Sequence, residues 1–541
     1  MAAINKVRRE AGVIGLLYAS LGSIIGSGWL FGALNASLQA GPFSMISWTV
    51  GALAVLFLAF VFAELSTMFP NSGALVHMTH VSHGDMLGKI WSWVLFLAFV
   101  SVPPVEVIAV LTYTNTLMTH TNYHFLDAGG LLTPLGTGSA MVLLALVVAL
   151  NFLAIRWVIA INSVTTWWKV LVPVATIFIL MAYSFHPGNM TAQLGSTPVS
   201  GIFTAVGTAG IIFSFLGFQQ AIALAGETRN PGKYVPIALI GSVVIALIIY
   251  LGLQYAFIVA LQPTDISEGW THLHFAGMFG PLAAILLTVG AFWWAWILYF
   301  DAVVSPLGTA FIYITGAPRI LMAAGEMGGA PSIVARLNRH GVPWIALIAT
   351  YVAGAAFFFP FPSWQKLVSA VSSITVLSYA IGPVILLHLR NILPDVKRPF
   401  RLKGARTVSL IAFIASNWII YWTGNYVMSV LFVLVGGYVA FLLVWHLLVK
   451  RLPSSKLGWQ QAWWLAPYFA CMWLISYYGP SASGMGGVDK FSFFTGMLLI
   501  ALFSPVILLL AIKTGLTSAE AKAHSAKVEA MGSRGMDMPM H

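Results

Sequence analysis

A single cysteine, Cys471, stands in a chain of 541 residues, and charged residues make up only 8% of it. One thiol forms no disulfide within its own chain, and no C-x-x-C or His-rich ligand spacing in the apolar segments marks a metal or redox centre. Acidic residues are the scarcer charge, 15 against 26 Lys and Arg. No nucleophile, metal cluster or paired carboxylates stand at a spacing that a membrane enzyme would need, so no enzyme and no cofactor is predicted. A filter loop or charged ring of the kind that builds a channel is missing too. In place of charge there is apolar residue, 59% of the chain with a mean hydropathy of +0.90. That composition lies far outside the range of a soluble domain and predicts an all-α polytopic membrane protein.

Apolar runs long enough to cross a bilayer fall at 12–38, 43–69, 90–117, 136–155, 158–184, 201–226, 235–261, 283–316, 342–360, 367–389, 407–424, 427–449, 460–478 and 491–512. They predict about 14 transmembrane helices, here called spans 1 to 14. The first run lacks a cleavage site and is read as a retained span rather than a signal peptide. With the N-terminus cytoplasmic, every one of the 26 basic residues falls on the inner side except Lys366 and Lys490, which lie outside, and Lys169, which lies within span 5. The chain is therefore predicted to sit in the plasma (cytoplasmic) membrane with both termini inside. The net charge of +11 is met by inner-leaflet lipid and calls for no nucleic acid. The expected organisation is a cytoplasmic N-terminus (1–11), a core of ten spans (12–389), spans 11 and 12 with a basic loop (390–449), spans 13 and 14 (450–512) and a cytoplasmic tail (513–541). The tail reads as a short exposed helix followed by a disordered end.

Span 1 carries Gly22-Ser23-Ile24-Ile25-Gly26-Ser27-Gly28. Each glycine weakens a helix by about 1 kcal/mol relative to alanine, so the helix is expected to break there. Backbone freed at mid-membrane is tolerated only when buried in protein or lining a wet cavity, so the break points to a binding site. A small-residue helix contact, through the Gly22 and Gly26 spacing, is the plainer alternative. Span 6 has a second candidate break at Ser214-Phe215-Leu216-Gly217-Phe218. Spans 1 and 6 open two successive sets of five, and interrupted helices at matching places in two halves mark transporter sites. Because five is odd, the second set enters the membrane with opposite orientation, giving a five-plus-five inverted-repeat transporter core.

Four ionisable residues lie inside spans: Glu64, Glu106, Lys169 and Asp301. Each is costly in lipid and is a functional candidate by default. Glu64, at the inner end of span 2, is expected to be structural, reaching water or a loop. Glu106 follows Pro103-Pro104 in span 3. Lys169 lies thirteen residues after Arg156, about 20 Å along its helix and so near the membrane middle. It is either a proton carrier or one half of a permanent ion pair with Asp301 or Glu106. Asp301, Ser305 and Thr309 recur at helical spacing and form one polar stripe. His77, His80 and His83 follow span 2 at helical spacing and are read as a solvated face.

Four stretches, "GSIIGSGWLFG" from Gly22, "AELSTMFPNSG" from Ala63, "FSFLGFQQAIALAGETRNPGKYVPIA" from Phe213 and "PDVKRPFRLKG" from Pro394, resemble the amino acid permeases of the amino acid–polyamine–organocation superfamily. The resemblance covers residues 10 to 450 and implies an amino acid held between the breaks of spans 1 and 6. It implies that the substrate carboxylate rests on the amides of Ser27 and Gly28, with Ile24 and Gly26 adjoining. The ammonium would meet carbonyls of Gly22, Ser23, Phe213 and Ser214. Phe215 and Gly217 complete the implied substrate set, and Phe213 matches a ring that closes over the ligand. "NSVTTWWK", Asn162 to Lys169, is similar to the span 5 pattern of proton-coupled relatives. There the lysine fills the place of a sodium ion, beside the carbonyl of Gly22 and the hydroxyl of Ser305. Lys169, Glu106, Asp301 and Ser305 are thus the implied proton-coupling set, with H+ as coupling ion and no metal. A secondary active transporter importing amino acids with protons by alternating access is expected. An amino acid or polyamine exchanger without net proton flow and a transporter-fold nutrient sensor are the alternatives. A monomer or a homodimer fits equally.

Overall fold

The computed structural model describes residues 12–526 apart from 69–73, 119–122, 153–154, 226–227, 274, 276–279, 339–340, 446–457 and 483. The regular secondary structure of the described residues is helical, without a β-strand, and each apolar segment predicted above coincides with helix. Eight described stretches are long and apolar enough to cross a membrane, or nine when a bent pair is counted as one span. The cytoplasmic N-terminus (1–11) and the tail end beyond residue 526 lie outside the described residues, whereas 518–526 forms the expected short helix.

Span 1 is two helices, α1 (Val13–Ile24) and α2 (Gly28–Ala40). Span 2 is α3 (Ser44–Met68), and α4 (Ala74–Val100) and α5 (Val102–Thr116) follow. Pro103 and Pro104 sit in the first turn of α5, where a missing N–H costs nothing, and the chain breaks at Ser101. Gly84, at φ 76°, divides α4, so its first ten residues are a helix of their own. Spans 4 and 5 are α6 (Pro134–Leu150) and α7 (Ile155–Tyr183). Span 6 is in three pieces, α8 (Gly201–Thr208), α9 (Ile211–Phe215) and α10 (Gln220–Ala223), bent by 55° between the first two. Then come α11 (Pro231–Ala260), α12 (Pro281–Thr288), α13 (Phe292–Glu326), α14 (Trp344–Ala356) and α15 (Trp364–Ile392). The last four are α16 (Ala405–Trp422), α17 (Asn425–Val444), α18 (Leu465–Tyr478) and α19 (Phe493–Thr514). The window of α15 is wholly buried, whereas those of α17 and α19 are mostly exposed, which places α15 centrally and α17 and α19 at the lipid-facing rim.

The end of the bundle that holds the start of α1 is closed. Phe62 of α3, Phe218 below α9 and Tyr379 of α15 stack with centroid distances of 5.1 to 6.5 Å. Behind them the fully buried Glu64 accepts from Arg390 Nε at 2.9 Å and Nη2 at 2.5 Å, and from the Leu402 amide at 2.7 Å. Arg398 Nε lies 3.3 Å from the same carboxylate, while its Nη atoms cap carbonyls from Leu389 to Val396. One acid thus binds α3 to α15 and to the "PDVKRPFRLKG" segment. The structural reading of Glu64 stands, with a loop rather than water as its partner.

The histidines do not form a solvated face. His80 and His83 are buried, because the helix that carries them packs beneath α19: His83 Nε2 is 3.0 Å from the Ala511 carbonyl, and its ring lies 5.0 Å from that of His388. The nitrogens of His388 in turn meet the carbonyls of Ile512 and Leu516 at 2.9 and 3.0 Å. The two rings, on α4 and α15, dock the end of α19 onto the core. Removing Glu64 strands two guanidinium groups at one buried point, a change that costs about 3 kcal/mol or more. Glu64→Ala is accordingly expected to lower the melting temperature in detergent by several degrees, followed by intrinsic tryptophan fluorescence, with Glu64→Asp falling between.

Candidate functional site

Between α1 and α2 the helix is interrupted over Ile25, Gly26 and Ser27, with Ile25 extended at φ −83° and ψ 92°. Side chains from four other helices, α5, α7, α11 and α13, serve the freed backbone. Lys169 of α7, buried to 1% exposure, donates from Nζ to the Gly22 carbonyl at 2.8 Å and to Thr309 Oγ1 at 2.8 Å. Thr309 Oγ1 lies 3.4 Å from the Ile25 carbonyl, and Tyr250 Oη lies 3.4 Å from that of Ile24. The Ser27 amide donates to Glu106 Oε2 at 2.8 Å, and the Ser27 hydroxyl accepts from Trp364 Nε1 at 3.0 Å. Close approach explains the glycines: a Cβ at Gly22 would meet Thr166, and one at Gly26 would collide with the Glu106 carboxylate and the Thr309 hydroxyl. One at Gly28 would strike Ser214.

Span 6 breaks twice, and neither break centres on Ser214. The first is at Ala209-Gly210, where Gly210 takes φ 90° and the Trp364 ring fills the space a Cβ would need. The second runs from Leu216 to Gln219, with Gly217 at φ 105° against the backbone of Ser23. Phe213, Ser214 and Phe215 lie in the helical turn between, where the Phe213 carbonyl accepts from the Leu216 amide and Ser214 Oγ bonds back to Gly210. The two spans are tied below the site by Ser20 Oγ, which donates to the Phe218 carbonyl at 3.2 Å.

The remaining residues fall around this crossing. Ser305 does not reach Lys169. Its hydroxyl is held by Asp301 Oδ1 at 2.9 Å, and Thr309, one turn further along α13, takes its place. Neither Glu106 nor Asp301 forms an ion pair with Lys169, so the permanent-pair reading does not describe this geometry. Two carboxylate oxygens, Glu106 Oε1 and Asp301 Oδ2, are buried without a hydrogen-bond partner among the described residues. Trp29 and Trp168 sit beside Asp301. The Asn162 side chain lies outside the described residues. Sequence reasoning missed Trp364, whose ring packs on Phe31 and Phe213 at centroid distances of 4.6 and 6.2 Å and roofs the break opposite Lys169. Its position as the first residue of α15, after the capping Ser363, carries no signal of that contact.

Chemically, the site offers an amide and a hydroxyl at Ser27, carbonyls at Ile24 and Ile25, a buried ammonium and two buried carboxylic groups within one crossing of broken helices. A model of the amino acid permease family matches residues 12–475. The chain belongs to that family. This permease is 36% identical over 524 residues to the glutamate/serine transporter AimA of Bacillus subtilis, covering 95% of each chain. It is 31% identical over 532 residues to the aspartate-proton symporter of the same organism, covering 96% of this chain and 99% of the relative. A branched-chain amino acid permease, BcaP, matches at 25% identity over 76% of this chain and 87% of its own length. The relatives are transporters and not enzymes, and the multi-pass helical fold and the amino acid permease assignment agree.

Among the described residues, Thr309 supplies a side-chain hydrogen bond to the Lys169 ammonium, and a hydrogen bond to a charged group is worth about 1.5–3 kcal/mol. Thr309→Val is expected to lower thermal stability by an amount of that order, with Thr309→Ser close to the parent, measured as melting curves of purified protein at fixed pH.

Proposed function

We propose that the permease imports amino acids, glutamate, aspartate and serine among them, across the plasma membrane together with protons, by alternating access. The observation that carries this reading is Lys169, a buried ammonium whose partners are one carbonyl of the broken helix and one hydroxyl of α13. An ammonium held by neutral groups is stable only while those groups face it. A shift of α1 against α13 removes half of its solvation and favours loss of the proton. Proton release is thereby tied to the same helix break that receives substrate. The lysine also fills the oxygen-lined niche that a sodium ion would need, which favours H+ as the coupling ion. The names of the two full-length relatives supply the substrate class.

In this reading the basic end of the bundle faces the cytoplasm, with the N-terminus and the tail, and the end holding Trp364 faces outward. The substrate carboxylate takes the amides at Ser27 and Gly28, where the positive end of α2 favours an anion. The substrate ammonium meets carbonyls around Gly22, Ser23 and the turn from Phe213 to Gly217, and Phe213 with Trp364 closes above it. Glu106 already holds the Ser27 amide, so substrate entry requires that its carboxylate move or take a proton. A second proton site at Glu106, with Asp301 and Ser305 as a reserve next to Lys169, follows from that competition.

Lys169→Ala is expected to keep substrate binding, seen as ligand-induced thermal stabilisation, and to lose pH-driven accumulation in proteoliposomes. Unchanged accumulation would overturn the assignment. Counterflow that proceeds equally with and without a pH gradient would instead identify an exchanger, and binding without any uptake a sensor.

A further inference from the structure

Lys366 is one of two basic residues that the charge topology leaves outside, and the proton-coupled mechanism has no use for it. The structure puts it in the wall of a cavity of about 690 Å³ at the end of the bundle opposite Glu64. Gln39 at the end of α2, Thr204 and Thr208 of α8, Lys366 and Ser369 of α15 and Tyr426 of α17 are among its lining. Among the described residues no carboxylate contributes to that lining, and Lys366 is its single formal charge. Among the described residues the ammonium has neither an ion pair nor a hydrogen bond, whereas the carboxamide of Gln39 is braced by the hydroxyls of Thr204 and Thr208 at 3.2 and 3.0 Å. The wall is thus mostly apolar, with a few fixed polar groups and one unneutralised cation.

The cavity adjoins the central site but does not merge with it. Trp364, which bonds Ser27 and packs against Gly210, is followed directly in the chain by Gln365 and Lys366 of the cavity lining. Lysine on an outer surface rich in lipid-facing apolar residue attracts anions most strongly where low-dielectric walls focus its field, as in a concave mouth. We infer that this antechamber is an anion-selecting station: Lys366 takes the side-chain carboxylate of an acidic amino acid before Trp364 moves aside to admit it. Zwitterionic amino acids, with no net charge, gain little from the same lysine. The inference rests on the transport of acidic amino acids proposed above and adds a site that discriminates among substrates outside the central one.

The test compares uptake of L-glutamate and L-serine by the full-length protein in oriented proteoliposomes. Lys366→Gln is expected to raise the half-saturating concentration of glutamate about three-fold, with maximal rate unchanged and with little effect on serine, because an exposed cation contributes modestly. Lys366→Arg should restore the parent value. Raising ionic strength, which screens charges beyond about 8–10 Å, should erase most of the difference between parent and Lys366→Gln. Equal effects on glutamate and serine, a fall in maximal rate alone, or no effect at low salt would each overturn the station while leaving glutamate transport intact. Absence of glutamate uptake by the unsubstituted protein would overturn the underlying reading itself, and the station with it.

Discussion

A helix that unwinds inside a bilayer must have its freed amides and carbonyls served by protein, since lipid offers them nothing. Much of the arrangement around Ile25-Gly26-Ser27 answers that one requirement. Lys169 serves the Gly22 carbonyl, Glu106 serves the Ser27 amide, and Thr309 stands within reach of Ile25. Three helices, α5, α7 and α13, are therefore pinned to a point in the middle of span 1 rather than to its ends. The polar residues are affordable because they satisfy one another's needs in a region where water is scarce. The same pinning makes the break sensitive to protonation, since two of its three attendants are ionisable.

The two ends of the bundle differ in kind. At the basic end, the stacked rings of Phe62, Phe218 and Tyr379 are backed by the Glu64 cluster, so an apolar plug and a charged clamp close the same path in series. At the opposite end, the Trp364 indole is bonded to Ser27 of the break, and the next residues of α15 line a cavity. The closure is thick at the end that holds Glu64 and thin at the end that holds Trp364. The histidine contacts add α19 to the closed end, which gives the helices beyond the ten-span core a fixed seat on it.

Much of this was legible in the residues. Three glycines in a short apolar stretch have few structural uses, and each of them proves to face a side chain or backbone at a distance no Cβ allows. Lys169 stood out because an uncompensated ammonium in a span is so costly. The second break was displaced, because the glycine at 217 was visible as a breaker whereas the one at 210 owes its conformation to the Trp364 ring packed against it, a contact remote in sequence. Lys169 meets Thr309 rather than the Ser305 that the resemblance implies, one helical turn along the same stripe, a register between α13 and α7 that periodicity does not record. The spacing of the histidines likewise shows a helix but not what lies on top of it.

The bond between Ser27 and Glu106 has a consequence for how affinity at this site is to be understood. In this structure the amide is occupied by a carboxylate tethered to the protein at an effectively fixed local concentration. In the binding mode proposed above, an incoming anion does not fill an empty place but replaces a resident of its own chemical type. Its measured affinity is then the difference between two similar hydrogen bonds, scaled by the fraction of molecules in which the resident has stepped away. Such a site binds weakly and releases readily, which suits a protein that must let go of its ligand on every cycle.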